Sequence, residues 1–152
     1  MEHALFTANA APGQYLLMKI ANKHYGIAVS CVDNVIRAPE IVRVPKAQRC
    51  FRGIIHLRGD IIAVMSLRRK MKFAEDAFTD ATRIVILAFP ERGKVGMLVD
   101  EVKEIVTFAE EEIEREIRTD GSDGARFISG IGRRREESVF LFDPDAIFEE
   151  LE

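Results

Sequence analysis

The residues of this chain with chemistry in them are Cys31, Cys50, His3, His24, His56 and the adjacent acids Asp100-Glu101. Thiolate attack, metal ligation and proton transfer are what such groups do. The two cysteines form no Cys-x-x-Cys pair, and no histidine stands at ligand spacing from another histidine or from a cysteine. The zinc patterns are therefore missing, and reduced, packed thiols are expected. An enzyme needs a nucleophile beside a base, or two carboxylates in one cleft. Asp100-Glu101 comes nearest, but directly after Val99 it reads as turn chemistry. No G-x-S-x-G, H-E-x-x-H or phosphate-loop pattern occurs. Gly130-Ile131-Gly132 lacks a third glycine and is followed by Arg133-Arg134-Arg135 and a further strand, so it reads as a strand edge with close backbone approach. Arg58-Gly59-Asp60 is a turn. The expectation is no catalysis, no cofactor and no metal, and function must be sought in surfaces.

Those surfaces have to be built from short strands. Arg52 to Val64 and Gly96 to Val106 each read as strand, tight turn, strand, with Gly59 supplying the positive φ of the first reversal. Tyr15–Ile20 and His24–Ala28 form an earlier hairpin, and Val29–Asp33 one helical turn before Asn34–Arg37. Ile41–Val44 reads as a short strand stopped by Pro45. Ser66 is placed to cap a basic helix over Leu67–Lys72, read as a solvated face. Thr82–Phe89 is an apolar run suited to a strand covered on both faces. Glu110–Ile117 reads as an amphipathic helix, with Ile113 and Ile117 one turn apart. Phe127–Gly132 and Ser138–Phe142 make a last hairpin across Arg133–Glu137. Asp143-Pro144 starts a helix toward Leu151. Residues 1–13 read as a flexible arm, and Thr119–Ala125 as a flexible loop. Two halves of similar strand rhythm flank the polar segment 73–81, which fits two small barrels sharing a groove, with one larger barrel as the alternative.

The 152 residues are 47% apolar, enough for one proper core, and carry 22 lysines and arginines against 25 acids, net −3. That balance argues against a nucleic-acid binder. With no tryptophan and two tyrosines, a barrel that stacks bases or small ligands has little support either. No apolar stretch approaches the roughly 18–20 residues of a membrane span, so direct membrane insertion is not expected. The start lacks the basic and apolar regions of a secretory signal, and the reading is cytoplasmic.

Five pieces, Gln14-Tyr15-Leu16, Tyr25-Gly26-Ile27, Gly53 through Gly59 around Leu57-Arg58, Gly96 through Asp100, and Ser129-Gly130-Ile131-Gly132, fall in the order and spacing of a known family. From about Gln14 to Leu151 the chain resembles the CheW family, the coupling proteins of bacterial chemotaxis. The resemblance implies a mainly β fold of two intertwined SH3-like five-stranded barrels with short helices, a single domain over 14–152. It implies a non-catalytic adaptor linking the cytoplasmic tip of a methyl-accepting chemoreceptor to the regulatory domain of a CheA-type histidine kinase, recruited to receptor arrays at the membrane. By family position, Val32, Arg52 and Ile61 face the kinase. Asn34, Arg58, Arg83, Val102 and Ile105 lie near a groove that receives a receptor helical hairpin.

There are departures from the family pattern. Asn34 stands where glutamate is usual, Ala63 and Ser66 replace proline and aspartate, Arg83 replaces an aliphatic residue, and Glu114-Arg115-Glu116 replaces a proline-containing stretch. An amide cannot pair with a cation, so Asn34→Glu is expected to strengthen receptor coupling and Arg58→Ala to weaken it. The departures imply an alternative, a divergent scaffold of a non-flagellar array with altered receptor recognition.

Overall fold

The computed structural model describes residues 13–74, 78–90, 93–115 and 127–149. Residues 1–12 of the expected arm (1–13), the Thr119–Ala125 loop and Ile117 lie outside them. Strands β1 (Gln14–Ile20) and β2 (Lys23–Ala28) form the first hairpin, turned by Ala21 and Asn22, both at positive φ. A 3-10 turn at Val29–Cys31 leads into β3 (Val32–Arg37). Strands β4 (Phe51–Leu57) and β5 (Asp60–Ser66) form the second hairpin. Arg58 joins Gly59 at positive φ (52° and 86°), which matches the twist of two-residue hairpins. The Ser66 hydroxyl accepts the Arg69 amide at 3.1 Å and caps α1 (Leu67–Lys70), which ends earlier than expected, with Lys72 left-handed just beyond it.

The remaining strands are β6 (Arg83–Phe89), β7 (Gly93–Val99), β8 (Glu101–Thr107), the two-residue β9 (Ile113–Glu114), β10 (Ile128–Arg134) and β11 (Glu137–Phe142). Helix α2 (Pro144–Glu149) starts where Asp143 Oδ1 accepts the amides of Asp145 and Ala146 at 3.1 and 3.3 Å. The strands assemble into two sheets, in the orders β8-β1-β2-β11-β10-β9 and β3-β6-β7-β5-β4. The sheets are not the two halves of the chain. One gathers the beginning and the end, with β11 parallel to β2, and the other takes the middle.

Three expectations need correction. Strands β7 and β8 form as expected, but they do not pair: β7 lies between β6 and β5, β8 beside β1, and Asp100 is where the chain changes sheet. Ile41–Val44 is no strand. Flanked by Pro39 and Pro45, which have no amide to donate, it makes a single bridge, with Val42 and Ile54 exchanging two 2.8 Å hydrogen bonds. Glu110–Glu112 is one 3-10 turn, closed by the Ala109 amide on Glu112 Oε1 at 2.8 Å. Ile113 then leaves the helical path to pair with Gly132, because its side chain belongs in a buried cluster with Val106, Phe108, Val139 and Leu141.

The two-residue period of each strand sorts side chains among three cores. Leu17, Val139 and Leu141 fill the inner face of the end-derived sheet. Ile62, Val64, Ile84, Ile86 and Leu98 fill that of the middle sheet. The alternate residues Leu16, Met18, Met65, Val85, Leu87 and Met97 join Tyr25 and Phe142 in a seam between the sheets. The Thr82–Phe89 run is thus apolar because both its faces are covered. Each such side chain contributes roughly 1.5–3 kcal/mol on burial.

Tyr25 stacks on Phe142 at 5.0 Å between ring centroids, and burial pushes its phenol up to about 12. The fold holds the neutral form, so this contribution is complete below the unfolded phenol value and is lost as pH rises from about 10 to 12. Urea denaturation across that window is expected to show declining stability in the native chain and a flatter profile in Tyr25→Phe.

Candidate functional site

Ile61, the second residue of β5, is 65% exposed opposite His56, while its neighbours Ile62 and Val64 turn into the inner core. Arg52 is the extra residue of a register shift in β4, between the Phe51–Met65 and Gly53–Val64 pairs. That bulge aims its guanidinium over the Phe78 ring, 5.3 Å from the centroid. Val32, expected on the same kinase-facing side, has no exposed surface. It is packed in the seam, and its role is in the core.

Val102 and Ile105 are three residues apart, which in a regular strand puts them on opposite faces. A register shift makes Lys103 the extra residue, so Val102 lies opposite Met18 and Ile105 opposite Leu16. Both therefore share the seam face of β8, an end strand of its sheet. Val102 packs against the margin of the seam core, and Ile105 remains 40% exposed. Arg83 shares the face of Val85 and Leu87 by strand parity, opposite Val99. Its Nη1 donates to the carbonyls of Asp80 and Thr82, both at 2.8 Å, so it closes its own loop. Arg58 stands exposed at the β4–β5 turn.

Asn34 is not with them. It lies opposite Ile86, a residue of the inner core, at 6% exposure, its Oδ1 accepting the amide of Val35 at 2.9 Å. A glutamate there would carry a carboxylate into that buried position, so the gain expected from Asn34→Glu is withdrawn.

One arrangement left no trace in local spacing. Arg68 Nε and Nη2 donate to Asp100 Oδ1 and Oδ2 at 2.9 and 2.6 Å, and the amide of Ala21 donates to Oδ2 at 2.9 Å. The crossover between sheets is thereby tied to α1 and to the β1–β2 turn. Burial alone would raise the Asp100 carboxyl. The Arg68 and Ala21 hydrogen bonds, with the charges of Arg68 and Lys19, outweigh it and hold the carboxyl below the usual carboxylate range. Burial pushes the Cys31 thiol up, with Asp145 adding to it against a hydrogen bond from Ser30, so Cys31 is held as a packed thiol. Among the described residues there is no cluster of three metal-ligating side chains, and no helix is long and apolar enough to cross a membrane.

The expected positions Ile61 and Ile105 are thus exposed aliphatic residues on different sheets. Comparison with known proteins agrees in kind. A family model described as a CheW-like domain matches residues 14–152. The chain is 30% identical over 144 residues to a chemotaxis protein CheW of Bacillus subtilis, covering 94% of this chain and 92% of that one. It is 27% identical over 139 residues to a chemotaxis protein CheW of Thermotoga maritima, covering 91% and 89%. The crystal structure of the scaffolding protein TtCheW from Thermoanaerobacter tengcongensis superposes with a TM-score of 0.80 at 26% identity, covering 88% of this chain and 90% of that one. The mainly β, SH3-like barrel architecture expected from the resemblance is the one observed.

Proposed function

The chain belongs to the CheW family of chemotaxis scaffolds, and from that premise we propose that it couples a CheA-type histidine kinase to chemoreceptor tips without catalysing a reaction. On this reading residues 14–152 work as one domain of two barrel subdomains, recruited from the cytoplasm to receptor arrays. The observation that carries it is the separation of two exposed aliphatic positions, Ile61 and Ile105, on different sheets. Ile61 is offered by the middle sheet and Ile105 by the edge of the end-derived sheet. An adaptor needs two independent faces. Ile61, with Arg52 on the neighbouring strand, suits the kinase regulatory domain, and the Val102–Ile105 face suits the apolar ridge of a helical hairpin.

Calorimetric titration of the full chain with the kinase regulatory domain and with a receptor hairpin fragment tests this. Ile61→Glu is expected to weaken kinase binding by about tenfold or more and spare the receptor, and Ile105→Glu to do the reverse. Equal losses for both partners, or none, would remove the assignment. A second reading, altered receptor recognition, is favoured by Asn34 and Arg83. Asn34 Oδ1 and Arg83 Nη1 are engaged by nearby backbone, and Arg58 is the more exposed cation of the group.

A further inference from the structure

A cavity of about 740 Å³ is bounded by most of the segment from Ala38 to Arg52, though not by its one acid, Glu40, and by Arg69 of α1 and Phe78. Its cations fall at every third residue of the sequence, Arg43, Lys46, Arg49 and Arg52, and Arg69 adds a fifth. No acidic side chain is among the described residues that line it, although the whole chain carries net −3. Two of the five cations have structural work. Arg69 Nη1 donates to the carbonyls of Arg49 and Phe51 at 3.1 and 3.5 Å and so fixes the wall, and Arg52 covers the Phe78 ring. Arg43, Lys46 and Arg49 are exposed and form no ion pair or side-chain hydrogen bond among the described residues. Between the charges the lining is mostly apolar, Gln48 apart, with Val44 and Phe78 both substantially exposed.

Like charges gathered in one concavity repel each other and raise the local concentration of anions. We propose that this cavity is a docking site for an acidic peptide segment of a protein partner. Its carboxylates meet Arg43, Lys46 and Arg49, and an apolar side chain between them rests on Phe78 and Val44. A small inorganic anion needs donors converging on one point, whereas these cations are spread along an exposed wall. A lipid surface needs cations that protrude together, whereas these line a hollow. Alternating charged and apolar lining is what an extended peptide reads. The inference goes beyond the adaptor reading and holds whichever kinase or receptor the chain serves.

The test is fluorescence anisotropy of the full chain with a labelled short peptide alternating glutamate and leucine. A lysine-for-glutamate version, inorganic phosphate and vesicles rich in anionic lipid form parallel arms. Saturable binding of the acidic peptide is expected, weakening several-fold as ionic strength is raised from about 0.05 to 0.3 M. The triple variant Arg43→Ser/Lys46→Ser/Arg49→Ser is expected to lose about tenfold or more in affinity, while Arg135→Asn, outside the cavity, binds as the native chain does. All the substituted side chains are exposed, and circular dichroism checks the fold. Equal binding by the triple variant, no saturable binding, or uptake of phosphate or vesicles without the peptide would overturn the proposal. So would a triple variant changed only in self-association by sedimentation, which would give the cavity to a second copy of the chain.

Discussion

Gly53→Ala is expected to destabilise the protein by about 3 kcal/mol or more, whereas Gly59→Ala loses about 1 kcal/mol. Both glycines have positive φ, 148° and 86°, but their surroundings differ. A Cβ on Gly59 meets nothing within 4 Å. A Cβ on Gly53 would stand 2.2 Å from the carbonyl oxygen of Val42 and 3.0 Å from Ile41 Cγ2. That oxygen accepts the amide of Ile54 at 2.8 Å, so it cannot retreat without breaking the bridge that holds the Ile41–Val44 segment to the sheet. Gly59→Ala thus reports backbone strain alone, and the difference between the two variants reports the collision. Urea midpoints at unchanged m-value measure both. Equal losses would mean that the Val42–Ile54 bridge does not constrain the fold.

Arg68→Ala is expected to cost about 2–3 kcal/mol, and Asp100→Ala a similar amount, with strong coupling between them in a double-mutant cycle. The two side chains are 19% and 27% exposed, so the pair is shielded more than a surface ion pair. Either single change leaves the other group partly buried without its fork of hydrogen bonds. Arg68→Lys keeps the charge but not the planar fork and should recover only part of the loss. Asp100 also sets an acid limit. Its folded carboxyl is held below the unfolded value of about 3.9, so its contribution is complete above that value and disappears as pH falls through the folded one. Denaturation profiles toward low pH should be shallower in Asp100→Asn. Additive single losses would show that the crossover is held by something other than this pair.

Elements whose causes are local were legible from the residues. The positive φ of Gly59, the Ser66 and Asp143 caps and the two-sided burial of Ile84 to Leu87 all follow from composition and short period. The register shifts at Arg52 and Lys103 were not legible, because one inserted residue leaves no compositional mark, yet they decide which side chains share a face. The separation of β7 from β8 was hidden for a related reason. Neighbours in sequence normally pair, and here Asp100, held by a partner 32 positions away, sends the strands to different sheets. Which of the expected site residues reach the surface was legible only in part. Ile61 and Ile105 are exposed at family positions, whereas Val32 and Asn34, chosen on the same footing, proved to be interior because strand parity near a bulge is set by tertiary pairing.

The sheet that joins β1 and β2 to β8, β10 and β11 carries a consequence for how the molecule is made. During translation the middle sheet has all its strands once Val99 has left the ribosome. The opening hairpin by then lacks both strands that will flank it, β8 and β11, and a lone two-stranded ribbon is barely stable in water. Strands β1 and β2 are therefore among the last to settle, waiting for Phe140 and Leu141 to arrive alongside Tyr25 and Gly26. A nascent chain stalled before that point would expose Leu16, Met18 and Ile27, the apolar surface that a chaperone binds.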